Sequence, residues 1–363
     1  MQSKTNTLKN MTASKLTIKK IITNSNEIWN EIIGVPKCDR CNSEEHYKMS
    51  DGRYKCKECG KIYSDRTNTI LQGSKLDKWQ WLVAMYVMCV NKGISLRELA
   101  NTIGVTNVTA WKMQHKLRMY MGLETYDMSG EVMIDEAHIG GWSGMHLKKK
   151  IDYMVAHNYM QKGERYRKEA ILAASSEKKE HIISIVNVDN KCLIKHIKGQ
   201  VTKSVIRQIV KQYGITHIIS DESKLYQGIK GVSVEQSNHS KHIFMTKGGH
   251  TSNACENRFS WVKRIINGYH TRATEKYLQL YLNQRMFQVN NKDLCIYDKL
   301  IKLGKLCCIK YISNNDVFNY DYTSDITYPI DNTKELVDNI FAELGELVQV
   351  AEVGRKRFVN SRK

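Results

Sequence analysis

The fold turns on two stretches, Val132-Met-Ile-Asp-Glu-Ala-His-Ile-Gly-Gly141 and His217-Ile-Ile-Ser-Asp-Glu222. Each is a short apolar run that carries an acidic pair, Asp135-Glu136 in the first and Asp221-Glu222 in the second, and each reads as a buried strand. Side chains alternate faces along a strand, so one acid of each pair can point into a given site. Asp135 shares its face with Met133, Ala137 and Ile139, and Asp221 shares its face with His217 and Ile219. The same alternation predicts that Glu136 and Glu222 turn away. A lone carboxylate rising from such apolar surroundings is costly, so each aspartate calls for a partner.

On either side, the pattern predicts strands over 131–139, 170–175, 181–188 and 216–221, an amphipathic helix over 202–213, and a strand-rich stretch over 232–237. Helices follow over about 252–266 and 273–290. Three strands, a helix, a strand and later helices match the ribonuclease H-like α/β order, a mixed sheet covered by helices on both faces. On the helix near 252–266, Cys255, Phe259, Val262 and Ile266 form an apolar stripe. Glu256, Ser260 and Lys263 lie on the adjacent stripe, which places Glu256 at the edge of the core and Lys263 two turns further along. Asp135, Asp221 and Glu256, the last two separated by 34 residues, then form a set of three carboxylates. Gathered together they repel, and a divalent cation turns that cost into a binding site. Oxygen-only ligands select magnesium or manganese, and two such ions can serve phosphodiester chemistry.

Upstream, Cys38-Asp-Arg-Cys41 and Cys56-Lys-Glu-Cys59-Gly60 stand 14 residues apart. Four thiolates in two tight turns make a closed tetrahedral site for structural zinc, and Gly60 suits the turn under the metal. The other six cysteines lack metal-ligand spacing and read as ordinary thiols. Next, Leu96, Leu99, Ala100 and Ile103 share one helix face, Gly104 breaks that helix, and Thr106 can cap a second helix carrying Val108, Trp111 and Leu117. This is a helix-turn-helix pattern, in which Asn107, Thr109, Lys112 and Lys116 would face DNA.

Composition agrees. The 363 residues include 56 Lys and Arg against 37 Asp and Glu, a formal net charge of +19 that favours a polyanionic partner. At 41% hydrophobic and 26% charged the chain is globular in composition, and its length predicts two or three domains. The longest apolar run, Trp81 to Val90, is too short to span a bilayer, and the polar, Lys-containing start carries no secretory signal pattern. The expectation is an intracellular protein with no membrane partner.

Taken together, the two CxxC pairs, Ile134-Asp-Glu-Ala-His-Ile-Gly-Gly141, Ser220-Asp221 followed by Tyr226, Asn238-His239-Ser240, His250-Thr251 through Glu256 to Lys263-Arg264, and Gly268-Tyr-His270 resemble the DDE transposases of bacterial insertion sequences. The resemblance is to the ISXO-type group with an N-terminal zinc ribbon, related to the eukaryotic Merlin elements, and it covers about residues 36 to 290. It implies that Asp135, Asp221 and Glu256 are the metal-binding triad and that Lys263 is the basic residue near a DNA phosphate. It also implies an enzyme that binds terminal inverted repeats and target DNA, acts as a homo-oligomer on DNA, and catalyses strand cleavage and strand transfer. Its place would be the cytoplasm or nucleoid of a bacterium, or a eukaryotic nucleus. The expected organisation is a basic segment 1–34, a zinc ribbon 35–72, a helix-turn-helix 73–125, a catalytic domain 126–292 and a C-terminal extension 293–363 of unassigned role. A non-catalytic DNA-binding regulator, or a domesticated transposase, explains the charge and the N-terminal modules but not the three carboxylates. A plain metal-dependent nuclease shares the site without joining ends.

Overall fold

The computed structural model describes residues 16–90, 94–139, 180–221, 223–236, 255, 259–260, 262 and 274–325. The chain divides into a unit ending at Tyr322 and a second from Thr323. Both sheets, and the helices packed on them, belong to the first unit.

Two short helices, α1 (Ile18–Thr23) and α2 (Ser25–Ile33), precede a small antiparallel sheet of β1 (His46–Lys48), β2 (Tyr54–Cys56) and β3 (Ile62–Tyr63). Then come α3 (Lys78–Cys89), α4 (Leu96–Ile103) and α5 (Asn107–Met121). The apolar run Trp81 to Val90 is the interior of α3, with Leu82, Met85 and Met88 fully buried. Ser95 caps α4 through the Glu98 N–H, Gly104 ends it in the left-handed region at φ 69°, and Thr106 caps α5 through the Thr109 N–H. The expected break and cap are therefore both present.

The larger sheet runs β6-β5-β4-β7-β8, from β4 (Gly130–Ile139), β5 (Glu180–Asn187), β6 (Cys192–Ile197), β7 (Ile215–Ser220) and β8 (Ser233–Gln236). β4, β5 and β6 are joined antiparallel, whereas β4, β7 and β8 are parallel. Helix α6 (Lys203–Tyr213) crosses over between β6 and β7, with Val205, Ile206, Ile209 and Val210 buried. The other face is covered by Cys255, Phe259 and Val262, as the helical stripe predicts, together with Leu278, Leu282 and Met286. Ile266 and the expected strand 170–175 lie outside the described residues. β6 was not expected, because its alternating Leu193, Lys195 and buried partners are short and sit at an edge.

Helix α7 (Glu275–Asn290) joins the two cores. Its Leu278, Leu282 and Met286 belong to the sheet core and its Phe287 to the helical core around α3 and α5. An exposed edge strand offers unpaired backbone groups. Here α7 covers that edge: Asn290 Nδ2 donates to Cys192 O at 2.7 Å and its Oδ1 accepts from Cys192 N at 2.7 Å, while Gln279 accepts from His196 N and donates to Ile194 O at 3.0 Å. Helix α8 (Ile296–Leu306), within the segment that had no assigned role, packs against α2 and α3. The approach is close at Gly304, where a Cβ would lie 2.4 Å from Ile32 Cδ1. A short helix α9 (Asn314–Phe318) then returns to α5. Among the described residues no helix is long and apolar enough to cross a membrane.

Candidate functional site

The first site is the cysteine cluster. Cys38 Sγ lies 3.5 Å from Cys59 Sγ, Cys41 Sγ lies 3.5 Å from Cys56 Sγ, and all four sulfurs fall within 4.8 Å of one another. A tetrahedral zinc with bonds of about 2.3 Å requires sulfur separations of about 3.8 Å, so this donor set fits zinc. The two pairs are built alike. In each, the residue after the second cysteine returns its N–H to the carbonyl of the first, Asn42 to Cys38 O and Gly60 to Cys56 O, and both are left-handed at φ 58° and 69°. Gly60 was expected there; Asn42 is the non-glycine residue that best tolerates this conformation. Burial raises the Cys38 thiol, but N–H groups of Arg40 and Cys41 outweigh it and bring the pKa down to about 7. The Cys59 N–H holds the Cys56 thiol below its ordinary value. Both shifts favour the thiolate that a metal needs. At Cys41 the Ser43 N–H lowers the thiol, but the bond with Cys56, burial and the other two cysteines together outweigh it, and the pKa is pushed up to about 12.

The second site lies where the pairing of β4 with β7 ends. Asp135, Glu136 and Asp221 each place a carboxylate oxygen within 4.8 Å of the others. That pairing stops at Met133 and Ile219, while β4 continues to Ile139 against β5. Asp135 and Asp221 therefore sit at the open seam between two parallel strands. At that spacing two carboxylates repel by about 3 kcal/mol at an effective dielectric of 20. An all-oxygen donor set under such strain fits magnesium or manganese.

Glu136 corrects the expectation from strand alternation. It leaves β4 on the face opposite Asp135, yet its carboxylate reaches the cluster, because beyond Met133 β7 no longer pairs with β4 to separate the two faces. There Glu136 accepts a hydrogen bond from Tyr226, which is fully buried, and one from Ser223 Oγ at 3.3 Å. Burial raises its pKa, the bond from Tyr226 lowers it, and the charge of Asp221 raises it again. The loop after Asp221 is tied to β8 as well: Gln236 Nε2 donates to Asp221 O and Ser223 O, each at 2.8 Å. Glu136→Ala should leave the buried Tyr226 hydroxyl without its acceptor and cost about 1–3 kcal/mol of stability. Glu136→Gln keeps an acceptor and should cost less. Urea unfolding of the two variants checks this, and equal stabilities would refute it.

Glu256, Lys263 and Glu222 lie outside the described residues. Next to Glu256, Cys255 is buried against the sheet, its thiol directed at Met133 O (3.6 Å) and Ser184 O (3.7 Å).

The four residues expected to face DNA have different surroundings. Asn107 is exposed, and Thr109 is half-buried with its hydroxyl 3.0 Å from that of Thr106. Lys112 is half-buried with its ammonium 5.6 Å from the Phe318 ring. Lys116 is buried, 7% exposed, with its ammonium over Tyr311, and burial lowers its pKa. From Ala110 onward α5 is enclosed by α3, α4, α7, α8 and α9. The open part of this helix is its first turn, where Val108 is 64% exposed although the sequence pattern placed it with Leu117, which is buried.

Two family models match the chain. Residues 127–290 match the ISXO2-like transposase domain, and residues 25–62 match the transposase zinc-ribbon domain. The first span runs from the approach to β4 through α7; the second runs from α2 to β3. The chain is also 24% identical over 106 residues to a Halobacterium salinarum protein described as an uncharacterized protein in transposable element ISH50. That match covers 28% of this chain and 36% of the relative, so the chain spans about a third of the relative's length.

Proposed function

We propose that this chain, which carries a transposase zinc ribbon followed by an ISXO2-like transposase domain, is an insertion-sequence transposase that binds terminal inverted repeats and cuts and rejoins DNA. The observation that carries this is the meeting of Asp135 and Asp221 where the parallel pairing of β4 with β7 ends. The strand order β6-β5-β4-β7-β8, three antiparallel strands with two parallel ones added through the crossover helix α6, supports a ribonuclease H-like catalytic domain.

In this reading Asp135 and Asp221, with Glu256, hold magnesium or manganese. A divalent cation bound there supplies Lewis-acid activation of the attacking oxygen and charge stabilisation of the leaving oxygen. The Glu136, Ser223 and Tyr226 bonds hold the loop after Asp221 so that its carboxylate keeps its place against Asp135. Lys263 steadies a DNA phosphate as a point charge. Helices α4 and α5 act as a helix-turn-helix whose contact with DNA is concentrated in the exposed first turn at Asn107 and Val108. The ribbon, folded on zinc by Cys38, Cys41, Cys56 and Cys59, adds a second DNA-binding module. The protein works as a homo-oligomer on DNA, wherever the cell keeps that DNA.

Incubating the full chain with magnesium and duplex carrying candidate element ends tests the reading. Nicked ends together with joined products are expected. Nicked products without joining would leave a plain nuclease, and DNA binding with neither product would favour the non-catalytic regulator.

A further inference from the structure

A basic surface lies at the opposite end of β7 from the acidic cluster. Helix α6 carries Lys203, Arg207 and Lys211 at four-residue spacing, and it contains no acidic residue. Its apolar stripe of Val205, Ile206, Ile209 and Val210 is buried, so the basic stripe is carried on the side left to solvent, with Arg207 and Lys211 exposed and Lys203 half-buried. Beside it runs a groove of about 520 Å³ between the end of α6, the start of β7 and the turn before β8. Arg207, Lys211 and Lys230 line this groove with Gly214, Gly228 and Gly231, and no acidic side chain contributes to the lining. A Cβ on Gly228 would lie 3.6 Å from Lys203 Nζ, so a fourth cation reaches the same groove. Among the described residues none of these four cations forms an ion pair.

We infer that this stripe and groove bind the phosphate backbone of duplex DNA, independent of base sequence, at a distance from the acidic cluster. Successive cations one i to i+4 step apart are about 6 Å apart along a helix, so the three on α6 span about 12 Å, the rise of three to four phosphates on one strand. Four converging cations without a compensating acid match a dense line of negative charge. β7 runs from Ile215 at the groove to Ser220 beside Asp221. Six residues at about 3.3 Å each put the two places about 20 Å apart, the length of about six base pairs. A duplex engaged at the acidic cluster can therefore be held at the groove on its flank. The inference rests on the proposed DNA chemistry.

The test is the salt dependence of duplex binding by the full chain, comparing wild type, Lys203→Gln/Arg207→Gln/Lys211→Gln, and the charge-keeping Lys203→Arg/Arg207→Lys/Lys211→Arg. Each lost phosphate contact removes about 0.9 from the slope of log affinity against log salt. The glutamine variant is expected to lose two to three units of slope, with the charge-keeping variant like wild type and the unfolding temperature unchanged in both. Wild-type binding with an unchanged slope in the glutamine variant would overturn the stripe and leave the catalytic reading standing. If wild type bound no duplex at any salt, the DNA reading itself would fall.

Discussion

Asp221→Ala is expected to abolish magnesium-dependent strand cleavage while DNA binding stays near that of wild type. Asp221 meets Asp135 at the seam of β4 and β7, within 4.8 Å, and its backbone carbonyl is fixed by Gln236 at 2.8 Å. Removing its carboxylate leaves that frame in place and takes away one of the proposed metal ligands. A misplacement of ~1 Å in the reacting groups already costs about a hundredfold in rate, so a loss of at least that size is expected for Asp221→Ala and for Asp135→Ala. Gel analysis of nicked product, beside a binding isotherm for the same protein, reads both quantities. Robust cleavage by Asp221→Ala would remove the cluster from the chemistry. Lys263→Ala, which deletes a charge and no metal ligand, should instead give a graded loss.

The second large effect concerns the ribbon. Its buried residues are few, with Cys38, Cys56 and Tyr63 at the centre and Tyr54 and Cys59 packed around them. So small a core cannot fold a module alone, and structural zinc contributes about 10–16 kcal/mol of apparent binding free energy in such modules. One zinc per chain is therefore expected, and Cys56→Ser or a strong chelator should unfold the region around residues 37–63. Limited proteolysis of the full chain reads this directly: cleavage should open within the ribbon under chelation, while the helical core around α3 and α5 stays resistant. A ribbon equally resistant with and without chelator would contradict it. Lost ribbon structure should also weaken DNA binding.

The features legible in the sequence were those set by neighbours in the chain. The two acid-bearing runs formed strands, β4 over Gly130–Ile139 with Asp135 inside it and β7 over Ile215–Ser220 with Asp221 just past it. α6 ran over Lys203–Tyr213, close to the expected 202–213. The apolar positions Cys255, Phe259 and Val262 were buried because a 3.6-residue period commits them to one side of any helix that forms. β6 escaped because six residues at a sheet edge give a weak alternating signal, and its backbone is satisfied by Gln279 and Asn290 from a helix about 90 residues away. The segment after 291 gave no pattern for a role, yet Leu300 and Leu303 of α8 complete the same core as Ile28 and Trp29 of α2.

Chain-local chemistry set the cysteine knuckles, the cap and break of α4 and α5, and which face of each element is apolar. Those follow from ligand spacing, side-chain hydrogen bonds and periodicity, all acting within a few residues. Long-range packing alone brought Asp221 to Asp135 and Glu136, and the reach of Glu136 depends on the β7 pairing stopping two residues short of Asp135 and on Tyr226 from the turn after Asp221. Packing alone also made Lys116 interior, because the ring that covers it, Tyr311, and the nearby Asp316 come from the far end of the chain. Alternation and helical period state which way a side chain leaves the backbone; what it meets there is set by segments whose arrival no local pattern records.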